Sequence, residues 1–153
     1  MTSGRAHLLI VEARFYDNIA DDLVRGAVAV LERADMTIDR CAVPGVFEVP
    51  AAVRFAHRAM ETGNAPRFAG IVALGCVIRG ETDHYDHICR ETSRALMDLA
   101  VAHEMPFGFG ILTCETMEQA RVRADPGRKN KGADAALACL RMIELKRTFG
   151  LAT

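Results

Sequence analysis

The polar run Arg79-Gly80-Glu81-Thr82-Asp83-His84-Tyr85-Asp86 follows directly on the apolar stretch Gly75-Cys76-Val77-Ile78 and is the densest cluster of chemically able groups in the chain. It joins a strand-like segment to a helical one. Backbone N–H groups near Gly80 to Asp83 can therefore hold a phosphate at the helix start, with Thr82 adding a hydroxyl. A solvated loop with Asp83 or Asp86 as helix cap uses the same residues, and position alone favours that plainer use. His84 carries an imidazole, whose ordinary pKa near physiological pH suits proton transfer. Taken alone, such a histidine is more often an ordinary surface residue.

A second concentration lies in Arg121-Val122-Arg123-Ala124-Asp125-Pro126-Gly127-Arg128-Lys129-Asn130-Lys131. One guanidinium there, aimed at a phosphate, would bind its oxygens bidentately. The plainer alternative is a solvated basic loop that pairs with a neighbouring subunit. Phe15 stands just beyond an apolar run, where its ring can stack on a flat heterocycle or simply close the core. Glu48, after Pro44-Gly45, suits either a helix N-terminal charge or a hydroxyl-binding carboxylate.

His84, Asp86 and His87 lie close in sequence, but there is no Cys-x-x-Cys, no His-Glu-x-x-His and no clear third ligand, so no metal site is expected. His57 and His103 fall on helical stretches and are expected at the surface. The five cysteines are widely spaced and read as reduced thiols, with Cys76 and Cys139 as buried packing residues.

These groups need a scaffold. His7 to Val11 is a short apolar run. Ile19, Leu23, Ala27, Val30 and Ala34 then recur at helical spacing, with Asp17 or Asn18 available as cap. A weaker strand over Thr37 to Val43 ends at Pro44-Gly45. A helix from near Glu48 or Pro50 runs through Phe55 and Met60 to the turn at Gly63-Asn64. Phe68 to Ile78, apolar without alternation, suits a central strand buried on both faces. A helix from about Asp86 to His103, a strand over Phe107 to Thr113, a short helix through about Val122 and a last helix from about Asn130 to Phe149 complete the order βαβαβαβαα. Such alternation predicts an α/β fold with a parallel sheet flanked by helices, and ligands at the carboxyl ends of its strands.

With 153 residues, 50% hydrophobic and 25% charged, the chain fits a single globular domain over 1–153. A net charge of -1 offers no general attraction to nucleic acid or anionic membrane, so an anionic ligand must be held locally. The longest apolar runs, such as Gly70 to Ile78, are far short of the roughly 20 residues that span a bilayer. The first residues lack the pattern of a secretory signal, so a cytoplasmic location is expected.

Taken together, these pieces resemble the lumazine synthase family from about Leu8 to Phe149. The resemblance rests on Arg14-Phe15-Tyr16-Asp17, on Val43 to Pro50, on the long segment Ala73 to Asp86, on Phe109-Gly110-Ile111-Leu112-Thr113 and on Asn130-Lys131-Gly132. It implies a flavodoxin-like three-layer sandwich with a four-stranded parallel sheet. It also implies a transferase of riboflavin biosynthesis, which condenses 5-amino-6-(D-ribitylamino)uracil with 3,4-dihydroxy-2-butanone 4-phosphate and needs no metal or organic cofactor. By the same resemblance His84 transfers protons and Phe15 stacks on the pyrimidine. Val46, Phe47 and Glu48 hold the ribityl chain and ring, and the backbone of Val77 and Ile78 binds the ring. Glu81 and Thr82 lie on the phosphate-binding turn, which Arg123 completes. Phe109, Arg123 and Lys131 resemble residues lent by an adjacent subunit.

The expected assembly is a homopentamer with active sites between subunits. Twelve such rings form a shell in some relatives, but Pro126-Gly127-Arg128-Lys129 departs from the usual Ala-Gly before Asn-Lys-Gly, which tips the expectation toward an isolated ring. Two other classes compete. A flavin-holding storage protein would need neither His84 nor Arg123. A phospho-receiver would need an acidic cluster at the first strand end, which Glu12-Ala13-Arg14 does not supply.

Overall fold

The computed structural model describes residues 4–152. Its elements are β1 (His7–Ala13), α1 (Asp17–Arg33), β2 (Thr37–Val43), a short 3-10 turn (Val46–Glu48), α2 (Val49–Glu61), β3 (Gly70–Ile78), α3 (His84–Ala102), β4 (Phe107–Cys114), α4 (Met117–Ala124) and α5 (Lys131–Thr148). The strands form one parallel sheet in the order β2-β1-β3-β4. Each parallel pair needs a helical crossover, and the crossovers sort the helices onto two faces. The result is the expected three-layer α/β sandwich.

Strand alternation divides the core accordingly. Leu8, Ile10, Val72, Leu74 and Leu112 pack with α1, α4 and α5 on one face, while Leu9, Val11, Ile71, Ala73 and Ile111 pack with α2 and α3 on the other. β3 is buried along Gly70 to Cys76, as its unbroken apolar sequence requires. Close approach of α5 to the rest depends on two glycines: a Cβ at Gly132 would collide with the Leu23 carbonyl of α1, and one at Gly108 with the Ala135 carbonyl. Among the described residues no helix is long and apolar enough to cross a membrane.

Several boundaries differ from the sequence expectation. Neither Asp17 nor Asn18 caps α1: both lie inside the helix as its first two residues, and Tyr16 takes the cap position without a side-chain bond. α3 begins at His84 rather than Asp86, with Asp83 at its cap position. β3 begins at Gly70, and just before it the Phe68 ring stacks on His7 with centroids 5.4 Å apart. The histidines expected at the surface also differ. The His57 side chain is only 15% exposed and lies against His103, because α2 and α3 converge there. Burial first, then the neighbouring His103, pushes the His57 imidazole below its ordinary value.

Candidate active site

β1 and β3 are neighbours in the sheet, although β2 and two helices separate them in sequence. The chain leaving β1 enters α1 on one face, and the chain leaving β3 enters α3 on the other. Their loops therefore diverge and open a crevice at the strand ends, the position ligands take in open parallel sheets.

Phe15 follows β1 and is 72% exposed, edge-to-face with Tyr16 at 4.9 Å. Behind it lies an ionic clamp. Arg14 donates to Glu12 and Asp17, each at 2.8 Å, and also to Asp21. Glu12, buried on the sheet, accepts two further bonds of 2.8 Å from Arg40. Burial raises the Glu12 carboxyl, but hydrogen bonds from Arg40 and Arg14 outweigh it and hold the group below its ordinary value. The clamp fixes the short connection that presents Phe15.

The Arg14 amide donates to the Val43 carbonyl at 3.0 Å, so the end of β2 stays beside that of β1. The 3-10 turn that follows has Val46 buried and Phe47 and Glu48 outside. A Cβ on Gly75 would come within 2.8 Å of Val46 Cγ2, so the glycine lets this turn sit down on the sheet edge. The Val46 side chain is thus a packing group, and toward a ligand this residue offers only its backbone.

Val77 and Ile78 are half-buried at the end of β3, in register with Thr113 and Cys114 of β4. Arg79 locks the loop after them. Its amide donates to the Cys114 carbonyl at 2.9 Å, its guanidinium reaches Glu115 at 2.9 Å and Asp86 at 3.3 Å, and it lies 4.3 Å over the Tyr85 ring. Glu81, Thr82 and His84 are exposed along the turn into α3. The His84 amide donates to Thr82 Oγ1 at 3.4 Å. Asp83 does not cap the helix with its side chain; its carboxylate sits 3.3 Å from His87 Nε2. In the first turn of α3 the Asp86 and His87 amides donate to the Asp83 carbonyl at 3.0 and 3.3 Å, so the amides that precede them are the ones left to an anion.

The electrostatics of this turn are unbalanced. Glu81, Asp83 and Asp86 are acidic, and Arg79 is already paired with carboxylates. A phosphate here requires a cation from outside the loop.

The remaining candidates stand apart from the crevice loops. Arg123 is half-buried on α4, where Nη1 donates to the Gln119 carbonyl at 3.1 Å. Burial raises the Cys114 thiol, and the positive charge of Arg123 opposes that rise. Lys131, first in α5, pairs with Asp134 at 3.0 Å. Phe109 lies opposite Ala73 in mid-strand, roughly 16 Å upstream of the end of β3 at strand spacing. Its ring is 48% exposed in an apolar groove of about 600 Å³ with Met97, Val101, Met142, Leu145 and Phe149.

One sheet edge therefore gathers Phe15, Val46 to Glu48, Val77, Ile78, Glu81, Thr82 and His84, whereas Phe109 does not join them within one chain. Sequence reasoning gave Arg79 no role of its own within the loop and overlooked the Glu12 clamp. The visible sign of the clamp is a single carboxylate at Glu12, after the apolar run Leu8 to Val11.

A family model described as 6,7-dimethyl-8-ribityllumazine synthase matches residues 5–147. The chain is 49% identical to a protein of that name from Paramagnetospirillum magneticum, over 97% of this chain and 99% of the relative. Identity is 53% to 6,7-dimethyl-8-ribityllumazine synthase 1 of Rhodopseudomonas palustris, over 96% and 90%. It is 52% to the Agrobacterium fabrum protein, over 96% and 99%.

Proposed function

The chain belongs to the 6,7-dimethyl-8-ribityllumazine synthase family, and on that premise we propose that the crevice at the ends of β1 and β3 is its active site, completed by a second subunit. The enzyme is a transferase of riboflavin biosynthesis. It condenses 5-amino-6-(D-ribitylamino)uracil with 3,4-dihydroxy-2-butanone 4-phosphate and releases phosphate and water.

The observation that carries the site is the gathering of one exposed aromatic, one carboxylate, an anion-receptive turn and a histidine along a single sheet edge. Phe15 stacks on the pyrimidine, while the Val77 and Ile78 backbone and the Val46 to Glu48 turn hold its edge and ribityl chain. Glu81 and Thr82 contribute the turn that receives the phosphate, through backbone N–H groups and the Thr82 hydroxyl. The pyrimidine supplies its own nucleophilic amine, so the protein has chiefly to position two substrates and move protons. As the amine adds to the ketone and an imine forms, His84 relays protons at the α3 start. Phosphate is then eliminated, and the second amine closes the ring.

The acidic character of the turn supports the need for Arg123, and the separation of Phe109 from the crevice supports its lending across an interface. The groove around Phe109 supplies an apolar surface suited to a neighbouring copy. Together they favour a site shared between subunits, with Phe109, Arg123 and Lys131 offered to the adjacent one, and we take the assembly to be the homopentamer that the family resemblance implies, in the cytoplasm.

The test mixes purified protein with the two substrates and follows the lumazine chromophore and released phosphate. Turnover above the spontaneous rate is expected; folded protein without it would overturn the assignment. Sedimentation of the same preparation should give a mass five times that of the chain, or a multiple of it.

A further inference from the structure

Far from the crevice, α2 and α3 converge near the amino ends of the strands. His57 on α2 and His103, which ends α3, bring their rings to a centroid separation of 4.0 Å with planes inclined by 30°. One turn after His57, Glu61 places Oε1 3.5 Å from His57 Nδ1. A ligand atom from each of the three residues lies within 4.8 Å of the other two. No step of the synthase reaction uses these groups, and their ordering by two helices distant in sequence gives no short motif.

We propose that His57, Glu61 and His103 form a binding site for a divalent transition-metal ion of the zinc class, with solvent completing the coordination. Two imidazole nitrogens and one carboxylate oxygen make a donor set that zinc accepts, whereas calcium and magnesium favour oxygen alone. Donors bound at zinc distances of about 2.0–2.2 Å stand roughly 3.3–3.5 Å apart across a tetrahedral angle. The existing His57 to Glu61 separation already meets that spacing, so a small side-chain rotation of His103 closes the set.

Nearby cations set the terms. Arg54 Nη1 donates to His57 Nδ1 at 3.2 Å and lies 3.8 Å from Glu61 Oε2. Arg58 Nη1 lies 3.6 Å from the same Oε2. Both guanidiniums can therefore hold Oε2 while Oε1 turns to the metal, the supporting arrangement common around ligating carboxylates. Arg54 is 42% exposed at its side chain and gives up Nδ1 without a buried rearrangement. Lys146 is near enough for its charge to act on His57, and its Nζ donates to the Glu104 carbonyl at 2.8 Å.

The experiment titrates zinc chloride into the chelator-stripped, assembled protein by calorimetry and repeats it with His103→Ala and Glu61→Gln. The wild type should bind one ion per chain. Each variant should bind at least about 10–100-fold more weakly, the loss that even a supporting partner around a metal can cause. Cobalt substitution should give a visible spectrum with the wild type that both variants lose, while lumazine formation by His103→Ala stays at the wild-type rate. Absence of binding by the wild type, or unchanged binding by both variants, would overturn the proposal. So would loss of binding in His87→Ala alone, which would place the ion at the Asp83–His87 pair. Glu61, an exposed side chain, keeps the test decisive if His103→Ala does not fold.

Discussion

Individual side chains of the proposed site divide between those offered to substrate and those that hold the first in place. If Arg123 supplies the cation that the acidic 81–86 turn lacks, Arg123→Ala raises KM for the sugar phosphate by roughly 10–100-fold, the worth of a charge-assisted hydrogen bond of about 1.5–3 kcal/mol. KM for the pyrimidine should move far less; steady-state kinetics varying each substrate in turn checks this, and equal losses would argue against a phosphate role. His84→Ala should lower kcat by up to roughly 100-fold, the lower end of what proton transfer contributes. The assembly should stay intact, and residual turnover is expected from substrate orientation alone. Burial pushes the thiols of Cys76 and Cys139 up to about 12. Both should resist a disulfide thiol reagent in the native protein and react only on unfolding, since the thiolate is the attacking form. Mass spectrometry of the labelled peptides distinguishes them from Cys41 and Cys89, which are half-buried.

Among the elements, the connection from β1 to α1 depends most on one buried charge. Glu12 is accepted by the core because Arg14 and Arg40 satisfy it, and Glu12→Gln removes the anion they share, leaving Arg14 only Asp17 and Asp21. A loss of about 1–3 kcal/mol in unfolding free energy is expected, moderated by the partial exposure of both arginines. The pH dependence follows from the same clamp. The folded carboxyl titrates below its unfolded value of 4.5, so below that value the unfolded chain takes up the proton first. The clamp's stabilisation is therefore whole above the unfolded value and fades as pH falls through the folded one. Denaturant midpoints measured from neutral to acid pH should fall more steeply for wild type than for Glu12→Gln; parallel curves would remove the clamp from the account. Its effect on catalysis should be indirect, through the presentation of Phe15.

For the whole molecule, the decisive surface is the groove between α3, β4 and α5 that exposes Phe109. Val101, on the rim and fully outside the crevice, is 70% exposed in the single chain. Val101→Asp should disperse the assembly and lower activity together, read by sedimentation and the chromophore assay; a dispersed but fully active chain would show that the site needs no neighbour. The sequence by itself determined the element order, the central position of β3 and the αβ layering. Those follow from hydrophobic periodicity and turn residues, which act over a few neighbouring positions. It also marked Phe15, Glu48 and the 79–86 loop as candidates by residue type, whereas Arg123, one of five basic residues in 121–131, is singled out only by the family resemblance. It did not determine the 3-10 turn that buries Val46, the locking of Arg79 by Glu115, the sharing of Glu12 by two arginines or the meeting of His57 with His103. Each of these joins groups that only the β2-β1-β3-β4 crossovers and helix convergence bring within reach. Tertiary structure decided them because a hydrogen bond or a ring contact depends on distance in space, and no local pattern along the chain encodes that distance.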